Sequence, residues 1–102
     1  MTVEATKILD ALSQAVETAD MTSIELLPLN SIQVAMDLVV STPEIAHAER
    51  QAKARLGFFE RAMRSNGMAP PTGDIEKLRR RAGRAISALR ELVETATASA
   101  PA

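Results

Sequence analysis

Ile75, Leu78, Ala82, Ala85, Leu89, Leu92 and Ala96 are spaced alternately three and four residues apart, and Ile86 and Val93 widen the same stripe. Apolar positions in that rhythm predict a helix packed along its full length at a shallow angle to its neighbours. Small Ala82 and Ala85 in the middle permit close approach of another helix and bury less area than leucine would. In a chain of 102 residues such a helix is the natural backbone of a single core, because two separate cores would each be too small to outweigh chain entropy.

The rest of the chain can be divided around it. Ala5, Ile8, Leu9, Leu12, Ala15, Val16 and Ala19 form a 3.6-residue stripe, which predicts a first helix over about 3–19 that stops near Asp20 and Met21. Thr22 and Glu25 have capping-box spacing. In "SIELLPLN", Pro28 disfavours a continuous helix, and Ile24, Leu26, Leu27 and Leu29 suggest a connection lying over the core. Asn30 or Ser31 can cap a second helix over about 31–40, with Ile32, Ala35, Met36, Val39 and Val40 on one side.

A sharp turn follows at "STPE". Ser41 or Thr42 suits an N-cap, Pro43 the first helical position and Glu44 the first turn, so the third helix begins there and runs over 43–65. Its stripe is Ile45, Ala48, Ala52, Leu56, Phe59 and Met63. Gly67 offers a left-handed stop, Pro70 and Pro71 fix the loop, and Thr72 or Asp74 opens the fourth helix over 74–96. These elements predict an all-α, small four-helix bundle-like domain spanning 1–98. A long antiparallel C-terminal hairpin is covered by two shorter N-terminal helices, and a tail at 99–102 frays.

Composition bears on function mainly by exclusion. The absence of cysteine removes disulfides, thiolate chemistry and cysteine-ligated metal centres. No apolar run is long enough to span a bilayer, and "MTVEATKILD" lacks the basic and apolar regions of a secretory signal, so the expected location is cytoplasmic without transmembrane association. Charge is uneven. Residues 1–42 carry Lys7 against Glu4, Asp10, Glu17, Asp20, Glu25 and Asp37, whereas most basic groups lie in 43–102. The two halves can neutralise one another within a fold or between subunits.

Placed at 100 degrees per residue, Lys77, Arg80, Arg81 and Arg84 share one flank of the fourth helix, while Arg79 and Arg90 fall on the other. The first four are candidate anion-binding residues, able to meet phosphates, an acidic protein surface or only solvent. Interspersed Asp74, Glu76, Glu91 and Glu94, the lack of aromatic interleaving and the long proline loop before this helix argue against nucleic acid as the principal partner. On the third helix, Phe58 falls away from the buried stripe, close to His47, Ala54 and Ala62. An outward phenylalanine there marks either a contact surface or a site wrapped by a neighbouring element. Phe58, His47, Ala54 and Ala62 are therefore the candidate interface.

Catalytic and cofactor chemistry finds little to stand on. Glu44 and His47 have E-x-x-H spacing, but a carboxylate-bridged metal pair needs more glutamates and a second such motif, which Glu17, Glu25 and Glu60 do not supply. The sequence after His47, "AERQAKAR", lacks the lysine and glycine usual in histidine phosphotransfer domains; Arg50 and Gln51 are the only groups placed to assist. Gly57, Gly67, Gly73 and Gly83 are too scattered for a phosphate loop, and a lone histidine leaves a serine nucleophile without both a base and an orienter. The sequence reads as a non-catalytic helical interaction module, a small accessory subunit or adaptor, without cofactor or metal. Its partner is another protein or a second copy of the chain. The alternative is a nucleic-acid-associated accessory protein using the basic flank.

Overall fold

A computed structural model describes residues 2–98, with side chains over 4–96. The elements are α1 (Thr2–Thr18), a single 3-10 turn (Ile24–Leu26), α2 (Ser31–Met36), α3 (Pro43–Ser65) and α4 (Gly73–Ala98), with no strand among the described residues. The chain is an all-α, four-helix bundle-like fold. The fourth helix, expected over 74–96, runs to Ala98, and the tail expected to fray, 99–102, lies outside the described residues.

α4 is the helix on which the other long helices lie. Arg79 reaches the carbonyls of Val16 and Glu17, and Arg90 reaches Asp10, so α1 runs antiparallel to α4. α3 returns antiparallel on another side, where the Arg79 guanidinium lies over the Phe59 ring. No Cα of α1 comes within 8 Å of one in α3. α2 packs on α1 and α3 but not on α4, so the 19–42 segment closes the wall across from α4.

The buried stripe of α4 is Ile75, Ala82, Ile86, Leu89 and Val93, with Leu78, Ala85 and Leu92 only half-buried and Ala96 exposed. Relative to the sequence-based stripe the helix is turned by roughly 30 degrees. The physical reason is that α4 has helices on two sides, so its most buried line lies between them. The core closes around Leu9, Leu12, Ile32, Ile45, Leu56, Phe59 and Met63.

α3 and α4 begin with the same device. Thr42 Oγ1 accepts from the Ile45 N–H at 3.2 Å, and Thr72 Oγ1 accepts from the Ile75 N–H at 3.2 Å. Each threonine satisfies an unpaired amide of the first turn, and each isoleucine turns into the core, so capping and burial act on adjacent atoms. Between them, Gly67 takes φ 62° and the Asn66 side-chain amide donates to the carbonyls of Ala69 and Pro70 at 3.0 Å each. The loop is thus closed from within before Pro71 leads into α4.

The 20–42 segment departs most from the sequence-based expectation. The Thr22–Glu25 capping box does not form; instead Asp20 Oδ1 accepts from the Thr22 and Ser23 N–H groups and from the Thr22 hydroxyl. A carboxylate that satisfies donors this close in sequence outcompetes a glutamate reaching back over a turn. α2 ends at Met36 rather than near 40, because Leu38 and Val39 donate three residues back and the chain must turn before Thr42 caps α3. Val40, expected on the buried stripe, is 88% exposed, and Leu26 is 82% exposed, while Ile24 and Leu27 point into the core. Lys53 fastens α2 to α3 by donating to Gln33 Oε1 and pairing with Glu49, both at 2.7 Å.

Two tests follow from these contacts. Arg79→Met leaves the last carbonyls of α1 without their cationic donor and should cost about 2–3 kcal/mol in urea denaturation; a loss under about 0.5 kcal/mol would mean that the link is idle. Asp20 is held down to about 2 from its usual 3.8, first by the Thr22 hydroxyl and then by the Ser23 and Thr22 amides. Its depressed pKa contributes stability that is present above pH 3.8 and lost as pH falls through about 2. Asp20→Ala should therefore be less stable than the parent at neutral pH, with the gap in melting temperature narrowing across that acid window.

Candidate interaction surface

The outward side of the α3–α4 seam carries two adjoining hollows. The first, about 360 Å³, is bounded by Gln51 and Arg55 from α3 and by Arg81, Arg84 and Ala85 from α4. The second, about 620 Å³, continues along the seam between Pro43, Glu44, His47 and Ala48 on α3 and Ala85, Ala88 and Leu92 on α4. Gln51 and Ala85 line both, so the two form one trough, cationic at one end and mainly apolar at the other, where exposed Glu44 and His47 stand on the α3 wall. Its apolar floor is low because alanine stands at buried Ala48, half-buried Ala85 and exposed Ala88 along the seam, leaving a depression that larger side chains would fill.

The anion-binding candidates divide over this surface. Arg81 and Arg84 line the α3–α4 hollow, whereas Arg80 and Arg84 line a third groove, about 550 Å³, between α1 and α4, beside Glu17 and Glu91. Lys77 is exposed and lines neither. Among the described residues, Lys77, Arg80, Arg81, Arg84 and Arg55 have no hydrogen-bonding or ion-pair partner.

The other two arginines of α4 are used inside the fold. Arg79, its side chain 14% exposed, pairs with Glu76 at 2.9 Å and donates to Val16 and Glu17. Arg90 pairs with Asp10 at 2.7 Å and with Glu94. The Asp10 hydrogen bond, followed by attraction to Asp10 and Glu94, raises the Arg90 pKa above its already high ordinary value.

Arg55 is the member of the cluster that the sequence reading missed. The signal lay in the antiparallel hairpin: with Phe59 against Arg79, one turn back along α3 and one turn on along α4 bring Arg55 opposite the stretch between Arg81 and Arg84.

Of the four interface candidates, His47 lines the apolar part of the trough and is exposed. Ala54 is exposed, and Ala62 is half-buried against the core. Phe58 is 53% exposed, with the Arg61 guanidinium 5.3 Å from its ring centroid, while its neighbour Phe59 is fully buried. The adjacent pair therefore splits between surface and core. Neither Phe58, Ala54 nor Ala62 lines the trough itself.

No grouping of three or more His, Cys, Asp or Glu side chains among the described residues could hold a metal ion. The described helices include none long and apolar enough to cross a membrane. Comparison with protein-family models, curated proteins and solved structures gives no match to this chain.

The split of the phenylalanine pair sets a measurable contrast. Phe59→Ala should cost about 3–5 kcal/mol of unfolding free energy, as for other large core truncations. Phe58→Ser should change it by less than about 1 kcal/mol. Equal losses at both positions would place Phe58 in the core.

Proposed function

We propose that the chain is a non-catalytic helical interaction module, an accessory subunit or adaptor, whose working surface is the outer α3–α4 face. The observation that carries this reading is the trough in which apolar Ala48, Ala85, Ala88 and Leu92 adjoin three guanidinia without a partner among the described residues. Apolar surface supplies non-directional affinity, and neighbouring unpaired cations supply orientation and faster encounter, which together are the requirements of a docking site. Phe58, exposed on the same outward side of α3, extends the surface beyond the trough.

Nucleic acid remains the second reading, favoured by Arg55, Arg81 and Arg84 converging from two helices. Phosphate binding would use these cations and leave the apolar end of the trough without a role. The protein reading uses both ends.

A photoreactive residue in place of Ala88 tests the choice in the native cells of the protein. The expected result is a discrete protein adduct that resists nuclease and disappears when Leu92→Asp is added. An adduct removed by nuclease would transfer the function to nucleic acid, and an adduct of the chain with itself would make the module a homo-oligomer. No adduct from Ala88 would remove the trough as a working surface.

A further inference from the structure

We propose that the occupant of the trough is an amphipathic α-helix of another protein, apolar along one half of its docking face and acidic along the other. This rests on the interaction-module reading above and goes further by assigning the chemistry of the partner. The trough runs from Pro43 and Leu92 at one end to Arg55 and Arg81 at the other, a length of about 18 Å along the helices, or roughly three helical turns. A groove between two antiparallel helices presents a continuous line of contact, and a third helix laid along it meets both walls.

The side chains decide what kind of helix fits. Ala48, Ala85 and Ala88 keep the floor low, so large aliphatic side chains from the partner can enter beside Leu92. At the other end Arg55, half-buried, and exposed Arg81 and Arg84 close around the hollow with Gln51 as their polar neighbour. Guanidinia from two helices facing one space repel each other, and carboxylates placed there relieve that repulsion and accept paired hydrogen bonds. Because the cations gather at one end of the trough, the acidic residues of the partner gather at the matching end of its helix.

A second copy of this chain fits less well. An isologous contact with the two troughs parallel would set the three arginines of one copy against those of the other, and with the troughs antiparallel it would offer those three guanidinia only the single carboxylate of Glu44. A phosphate backbone matches the cationic end alone, and Ala48, Ala85, Ala88 and Leu92 give it nothing to bind.

Selection of a displayed library of helical peptides, about 16 residues each, against the full chain provides the test. The expected consensus has aliphatic residues at three- and four-residue spacing in one half and two or more carboxylates on the same face of the other half. The selected peptide, followed by fluorescence anisotropy, should lose at least tenfold in affinity against the Arg55→Gln, Arg81→Gln, Arg84→Gln triple variant, and similarly against Leu92→Asp. Exchanging its acids for lysines should restore binding to the Arg55→Glu, Arg81→Glu, Arg84→Glu triple variant. Circular dichroism of the arginine variants should match the parent, since the three side chains have no partners among the described residues to lose.

A consensus without carboxylates, binding indifferent to the arginine changes, or failure to select any helix would overturn the proposal. So would a duplex or single-stranded oligonucleotide that binds through the same arginines more tightly than the selected peptide at equal salt. If the peptide arm fails while the protein adduct at Ala88 persists, the acidic helix is wrong and the interaction module stands; loss of both removes the module as well.

Discussion

The guanidinium of Arg79 leaves α4 between the end of α1 and the ring of Phe59 on α3, and so joins three helices at a point where the backbone makes no link. α1 has no glycine stop. Its final carbonyls are met instead by a cation, which also suits the negative end of the helix dipole. Glu76 balances that cation from one turn earlier on α4. The position of α1 along α4 is therefore fixed by a charged group held against a core aromatic. No Cα of α1 comes within 8 Å of one in α3, so this shared group couples the two sides of α4, as α2 does by packing on both helices.

The basic run of α4 serves two purposes according to the direction each side chain takes. Arg79 and Arg90 turn toward α1 and are consumed by carbonyls and carboxylates of the acidic first helix. Arg80, Arg81 and Arg84, one, two and five residues on from Arg79, turn outward and have no partner among the described residues. Helical phase alone separates the structural arginines from the available ones. Substituting a structural arginine changes stability, whereas substituting an outward one changes only what the surface can hold.

Much of this was legible in the sequence because α3 and α4 satisfy several independent signals at once. At Thr42-Pro43-Glu44-Ile45, cap, proline, acidic first turn and core residue agree. The separation of Arg79 and Arg90 from the other cations also followed from phase. What sequence could not supply was the third dimension of α4: a helix with neighbours on two sides has its buried line between them, so Ile86 and Val93, which looked like the margin of the stripe, are its centre. Arg55 escaped for a related reason, since its companions are on another helix and are reached only through the register of the hairpin. In the 20–42 segment the apolar side chains outnumber the places available in a narrow wall, and composition does not say which of Leu26, Leu27 and Leu29 will be buried. Asp20 decided that path through short-range hydrogen bonds that competed with the expected capping box.

The dependence of both α1 and α3 on α4 has a consequence for the order of events during synthesis. The helix that completes the core is the last of the four to emerge, so α1 and α3 leave the ribosome with their apolar stripes facing a gap. A chain assembled vectorially from its N-terminus thus passes through a stage at which most of its hydrophobic surface is made and the element that covers it is not. The core is complete only in the step at which the α3–α4 hairpin has folded back and α1 lies on the other side of α4. Nascent chains stalled before Leu89 would be the sticky form of this protein, and the trough, built by two walls that meet only in that step, would appear at the same moment as the fold.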